Sequence, residues 1–295
     1  KIIELEDWIL PVVYKSRDVV LPLKKMSVEE KVAYYSKLYK ATSFNEPTYG
    51  FFGRDLEILK IEKSLLFNNQ LLVRGMKGVG KSTFLQYLSW WWEITNYTEG
   101  TIYFDVNLKP IHLEAILAKV SEKIFGKKNK YCAGLSPEKA LKIQRGEVLE
   151  ALNSNKFAII LDNIYELEDK EIISFLSQVN GKSLIVFGSV NPETKLAPST
   201  FRDHVFLLGG LDTAAQFQMA NAIINKKTEK EMNSLIKENE FDFQHLMNLL
   251  MGFPLALELV LPKLRDLSVS ELVEQLQEGS LELELSGFRP DFPSD

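Results

Sequence analysis

Cysteine is almost absent from this chain: Cys132 is its single thiol. No disulfide can close within the chain, which fits a reducing, cytoplasmic setting. Long apolar runs are missing too. None approaches the ~18 residues of a membrane-spanning helix, and the first residues carry no signal-peptide pattern, so no membrane partner is expected. Neither sign of charge dominates: 35 Lys and Arg stand against 40 Asp and Glu, a net charge of −5. A mildly acidic chain supplies no broad positive field, so nucleic acid is not an expected partner. There is no internal repeat and no low-complexity segment. What remains is the balance of a globular protein, 45% apolar and 25% charged. A length of 295 residues makes one large domain or two ordinary ones. The first residue is Lys1, and Arg289-Pro290-Asp291-Phe292-Pro293 has no closing element, so a longer parent protein is expected.

Residues 1–45 read as a connector. Trp8 to Tyr14 is a short apolar run, and Ser27-Val28-Glu29-Glu30 has the spacing of a capping box. Asn45 to Gly50 is rich in turn residues. Strands then alternate with helices. Leu71–Arg74, Thr101–Val106, Phe157–Asp162, Ser183–Gly188 and His204–Leu208 read as strands. Helices are expected over Lys81–Glu93, around 112–125, from Ser136-Pro137-Glu138, and over about 169–179. Phe157–Leu161 is apolar throughout, the mark of a strand buried on both faces. After Gly210 the strands stop, and 212–225, 228–238, 241–250, 254–265 and 269–278 read as helices. The predicted fold class is α/β, a parallel sheet sandwiched by helices and followed by an α-helical bundle subdomain, and Gly75–Thr83, which matches G-x-x-x-x-G-K-[ST], makes that sheet a P-loop NTPase one. The expected domains are connector 1–45, nucleotide-binding domain 46–209, helical subdomain 210–285, and 286–295 as the start of a linker.

The chemistry is carried by Gly75-Met76-Lys77-Gly78-Val79-Gly80-Lys81-Ser82-Thr83, which matches G-x-x-x-x-G-K-[ST] between a strand and a helix. Gly78 and Gly80 let backbone N–H groups on either side of Val79 turn inward around phosphates. Lys81 is placed to reach the terminal phosphates, and Ser82 offers a hydroxyl to Mg²⁺, with Thr83 beside it. The helix N-terminus adds partial positive charge. Asp162, at the end of an apolar strand, is the expected partner for Mg²⁺. The expected cofactors are therefore ATP or ADP with Mg²⁺.

Hydrolysis ordinarily needs a carboxylate directly after that aspartate, and Asn163 stands there instead. An amide positions water but takes no proton, so Asp162 and Asn163 as a catalytic pair imply slow or absent cleavage. Glu166 and Asp169 lie nearby, but such residues usually decorate a loop or helix start. Ser189 or Asn191, at the end of the fourth strand, is a candidate sensor of the terminal phosphate; an ordinary strand-to-turn transition before Pro192 explains the pattern equally. Lys123, Lys127, Lys128 and Lys130 read as a solvated helix C-terminus. In Ser89-Trp90-Trp91-Trp92, three consecutive rings span about 200° of a helix. Leu85, Leu88 and Trp92 are expected on the sheet, leaving Trp90 or Trp91 to meet another part of the chain or a partner.

Together these motifs resemble the STAND class of signalling ATPases, the NB-ARC and NACHT group. Phe52-Gly53-Arg54-Asp55 is similar to their F/V-G-R-E segment, and Gly252-Phe253-Pro254-Leu255-Ala256 to their G-L-P-L-A motif. Phe206 to Asp212 is similar to their entry into the helical domain. The resemblance covers about residues 48–265. It implies that Phe52 and Arg54 lie near the adenine and that Pro254 presses on the nucleotide. From the residues alone, Arg54 is a surface residue opening a helix and Pro254 a first-turn proline. The arginine that commonly follows the fourth strand in that class is replaced here by Val190-Asn191. Glu6 to Tyr14 resembles the closing strand of a caspase-like CHAT domain.

The resemblance implies an ATP/ADP-dependent signalling switch controlling homo-oligomerisation of a larger immune, antiviral or cell-death-type protein. An N-terminal effector and a C-terminal sensor would lie outside this chain. The alternatives are an AAA+-like ATPase acting on nucleic acid and a static nucleotide-stabilised scaffold.

Overall fold

Every residue of the strand Phe157–Asp162 is buried, as its unbroken apolar run requires. It lies inside a parallel sheet of five strands in a computed structural model that describes residues 44, 46–106, 111–126, 136–164, 169–190, 204–224 and 240–281. In chain order the elements begin with α1 (Asp55–Ser64), β1 (Gln70–Arg74), α2 (Lys81–Ile94) and β2 (Gly100–Asp105). They continue with α3 (Leu113–Phe125), α4 (Pro137–Ser154), β3 (Phe157–Asp162), α5 (Lys170–Leu176), β4 (Leu184–Ser189) and β5 (Val205–Leu207). Then come α6 (Thr213–Ile224), α7 (Glu240–Leu249), α8 (Pro254–Val260), a 3-10 turn (Leu261–Arg265) and α9 (Val269–Glu278). The predicted α/β P-loop fold is therefore the observed one.

The sheet order is β2-β3-β4-β1-β5, with every pairing parallel. All strands thus end at one edge, where ligands of open α/β sheets bind. Residues two apart on a strand share a face. Ile102, Phe104, Ile159, Leu161, Ile185 and Phe187 meet the apolar stripes of α3, α4 and α5 in one core. The opposite face carries α2. There Ser89 and Thr101 share a 2.7 Å hydrogen bond. Leu85, Leu88 and Trp92 are fully buried, as expected. Trp90 is also buried, packed with Tyr87 and Phe44 of the same chain. Trp91 stacks on Tyr87.

The chain separates into two compact units. The first holds Ile58–Arg74 and Ser82–Leu207, the sheet and its helices. The second holds Glu46–Glu57, Gly75–Lys81 and the helices after Leu208. Its core joins Leu211, Met219, Phe243, Leu246, Leu257 and Leu272, with Tyr49 and Phe52 packed against it.

Several local signals read correctly. Ser136 sits at the N-cap of α4 with Pro137 in the first turn, though its hydroxyl makes no cap bond. Asp169 caps α5 by accepting from Glu171 and Ile172 N–H, so it is a helix cap. The single helix expected over 254–265 is broken instead: it is α-helical to Val260 and 3-10 beyond. Pro262 has no N–H to continue the α ladder. The expected helix at 228–238, the N-terminal connector, Glu166, Lys127, Lys128, Lys130, Asn191 and 286–295 lie outside the described residues.

Candidate functional site

In the second unit, the loop from Gly75 to Lys81 leads from β1 into α2. Gly78 and Gly80 have φ of 83° and 84°, a region open to glycine without strain. Close contacts give a second reason for glycine at each place. A Cβ on Gly78 would stand 3.2 Å from Leu255, and one on Gly80 would stand 3.3 Å from Pro254 Cγ. Between them the Val79 side chain is buried, and its N–H donates to Met76 O at 3.3 Å. The Gly78 carbonyl accepts the Leu255 N–H at 3.2 Å. Pro254 opens α8, so it is a first-turn proline that also lies against the loop. Lys81, the first residue of α2, is 5% exposed.

Arg54 is not a surface residue: it is 4% exposed. Its Nη2 donates to Val79 O at 3.0 Å, and its Nη1 to Gly209 O at 2.8 Å. Longer contacts of 3.4 Å run to Gly210 O and to Glu57 Oε1. Burial lowers the Arg54 pKa, while Glu57 and Asp212 push it back up. Arg54 has φ of 77°, a left-handed conformation that costs a side-chain-bearing residue about 1–2 kcal/mol. Phe52 is half-buried and packs on the helical core.

In the first unit, Ser82 and Thr83 occupy the first turn of α2 and are half-buried. Asp162 ends β3 and is fully buried. Its Oδ1 accepts the Asn163 N–H at 2.8 Å and its Oδ2 accepts the Tyr103 hydroxyl at 3.0 Å. Gln86 of α2 donates to the same hydroxyl at 3.5 Å. Burial pushes the Tyr103 phenol well above its ordinary pKa, and the Asp162 carboxylate pushes it further. The phenol therefore stays protonated and donates. Beneath the carboxylate lies Gly188 of β4, where a Cβ would stand 2.3 Å from Asp162 Oδ1.

Asn163 has φ of 61°, and its Nδ2 donates to Asp105 Oδ1 at 3.0 Å. Asp105 is the register partner of Asp162 across β2 and β3. Asparagine is among the few side chains that visit this backbone region readily. Ser189 ends β4 opposite Arg74 and is fully buried. Tyr103, Gln86 and Asp105 escaped sequence reading. The available signal was the polar set Thr101, Tyr103 and Asp105, two residues apart on an otherwise apolar strand.

Within the second unit the loop ends on the Lys81 ammonium; within the first unit α2 carries the Ser82 hydroxyl and the end of β3 carries the Asp162 carboxylate, held by Tyr103 and Asn163. Among the described residues no group of three or more His, Cys, Asp or Glu is placed to hold a metal. The Asp162 carboxylate and the Ser82 hydroxyl, both in the first unit, are hard oxygen donors of the kind that Mg²⁺ takes. No helix among the described residues is long and apolar enough to cross a membrane.

No protein-family model matches this chain, and no curated protein matches it. Solved structures of low similarity do. One is a Walker-type ATPase of Pyrococcus abyssi, 16% identical over 82% of this chain and 76% of that one, TM-score 0.47. A second is the Orc1 protein of Aeropyrum pernix in complex with DNA, 13% identical over 78% of this chain and 65% of that one, TM-score 0.45. A third is a STAND protein with a tetratricopeptide repeat sensor from Pyrococcus horikoshii, 17% identical, TM-score 0.43; the match covers 79% of this chain and 33% of that one.

Proposed function

We propose that this chain is an adenine-nucleotide-binding switch of the STAND type, with slow or absent hydrolysis. One observation carries the reading. The phosphate loop is fastened to the helical unit: Gly78 O to the Leu255 N–H, Val79 O to Arg54, and Gly80 against Pro254. A nucleotide held by that loop acts directly on the segments leading into α6 and α8. Exchange of ADP for ATP–Mg²⁺ then favours one arrangement of the chain over another, in proportion to its differential affinity for the two. Lys81 would hold the terminal phosphates, Ser82 and Asp162 would hold Mg²⁺, and Phe52, Thr83 and Ser189 would line the same site. The activated form would assemble with further copies of itself and bring together domains carried elsewhere in a longer protein.

Asn163 supports weak turnover, since its amide is engaged with Asp105 and accepts no proton from water. The test is to denature the purified protein and identify the released nucleotide by chromatography. ADP from the native protein and none from Lys81→Ala is the expected result. An empty native protein with fast, DNA-stimulated ATP turnover would replace this reading with that of a nucleic-acid-acting ATPase. Permanently bound ADP without ATP-dependent assembly would indicate a static scaffold.

A further inference from the structure

Arg54 holds an unfavourable backbone conformation, and its guanidinium is spent on main-chain carbonyls. Strained residues persist where their surroundings over-determine them, and they gather at functional sites. The carbonyl of Val79 belongs to the phosphate loop itself. A trans peptide is planar, with its C=O and N–H on opposite sides. Fixing the Val79 carbonyl on Arg54 therefore turns the Gly80 N–H to the other side of that peptide. The preceding peptide is fixed at both ends: its Gly78 carbonyl accepts from Leu255, and its Val79 N–H donates to Met76. Arg54 thus completes the definition of the loop between its two left-handed glycines. The same guanidinium holds Gly209 and Gly210, where the chain passes from β5 toward α6. A lysine could not reproduce this, because its tetrahedral ammonium lacks the planar fork that spans separate carbonyls.

We propose that Arg54 is a positioning residue for the phosphate loop: it sets the anion-binding shape of the loop through Val79 and ties that shape to Gly209–Gly210. It does not read the base. This rests on the nucleotide-binding reading above.

The test compares the parent chain with Arg54→Gly and Arg54→Lys. Glycine accepts a φ of 77° without strain, so Arg54→Gly removes the side chain while relieving the backbone. The probes are N-methylanthraniloyl ADP and GDP, with inorganic pyrophosphate as competitor. Arg54→Gly is expected to melt cooperatively and to bind all of them about tenfold to a hundredfold more weakly, the loss of charge-assisted hydrogen bonds. Arg54→Lys shows a similar loss, and added methylguanidinium recovers most of the affinity of Arg54→Gly.

Four outcomes overturn the proposal while leaving the nucleotide reading in place. One is binding within twofold of the parent. A second is a loss confined to the adenine nucleotide, which would make Arg54 a base contact. A third is affinity that methylguanidinium does not restore, and the fourth is a glycine variant that no longer folds. A parent that binds none of the probes overturns the nucleotide reading itself, and this proposal with it.

Discussion

The place of the Asp162 carboxylate is decided by a residue with no side chain. Gly188 lies under it, and a methyl group there would stand 2.3 Å from Oδ1 and 2.6 Å from Leu85 Cδ1. Gly188→Ala is expected to cost about 1–3 kcal/mol, the range for overpacking a tight interior. Urea unfolding measures it, and a loss below about half a kcal/mol would mean that the carboxylate moves aside freely. Tyr103 governs the other oxygen. Tyr103→Phe takes away a hydrogen bond to a buried carboxylate, so a loss of about 1.5–3 kcal/mol is expected by the same measurement. If the variant were as stable as the parent, the tyrosine would not be holding Asp162. Asn163 shows how position alters meaning. In the sequence it is a missing carboxylate; in the fold it is also a residue in left-handed backbone, its amide bound to Asp105.

Helix ends supply the clearest stability terms among the elements. Ser268 and Glu271 form a reciprocal capping box at the start of α9. Ser268→Ala is expected to cost about 1 kcal/mol, read as a lowered denaturation midpoint. An unchanged midpoint would show that α9 is held by packing alone. Between α1 and α2 the buried Glu62 accepts the Trp92 indole N–H at 3.0 Å. Burial raises the Glu62 pKa above its ordinary 4.5, and the Trp92 bond and nearby Lys156 offset only part of that. Just above the ordinary value, the folded state keeps a proton that the unfolded state has lost. Stability therefore falls as pH rises from about 4.5 toward the raised folded value. Glu62→Gln keeps an acceptor for Trp92 and should flatten that limb of the stability–pH curve. A limb of unchanged slope would assign the effect elsewhere.

For the whole molecule, a nucleotide that binds only the folded state adds stability by mass action. At a hundredfold excess over its dissociation constant the gain is about 2.7 kcal/mol. For a chain of 295 residues that is a rise in melting temperature of about 4 °C. ADP with Mg²⁺ should produce it in the parent and not in Lys81→Ala; equal shifts in both would move binding away from the loop. The sequence by itself determined what is local: the phosphate loop, the apolar strand before Asp162, the alternation of strands with helices, and most helix limits. Those signals lie within one turn or one strand, where periodicity and capping residues act. Only the tertiary structure decided who meets whom. Arg54 reaches Gly209 across 155 residues, and Tyr103 reaches Asp162 across 59. Such partners depend on strand order, on register and on close approach at Gly188, and no stretch of neighbouring residues carries that information. The reason is physical. A hydrogen bond between distant residues forms only after the sheet and the helical core have placed both ends, so its signal exists in the packing and not along the chain.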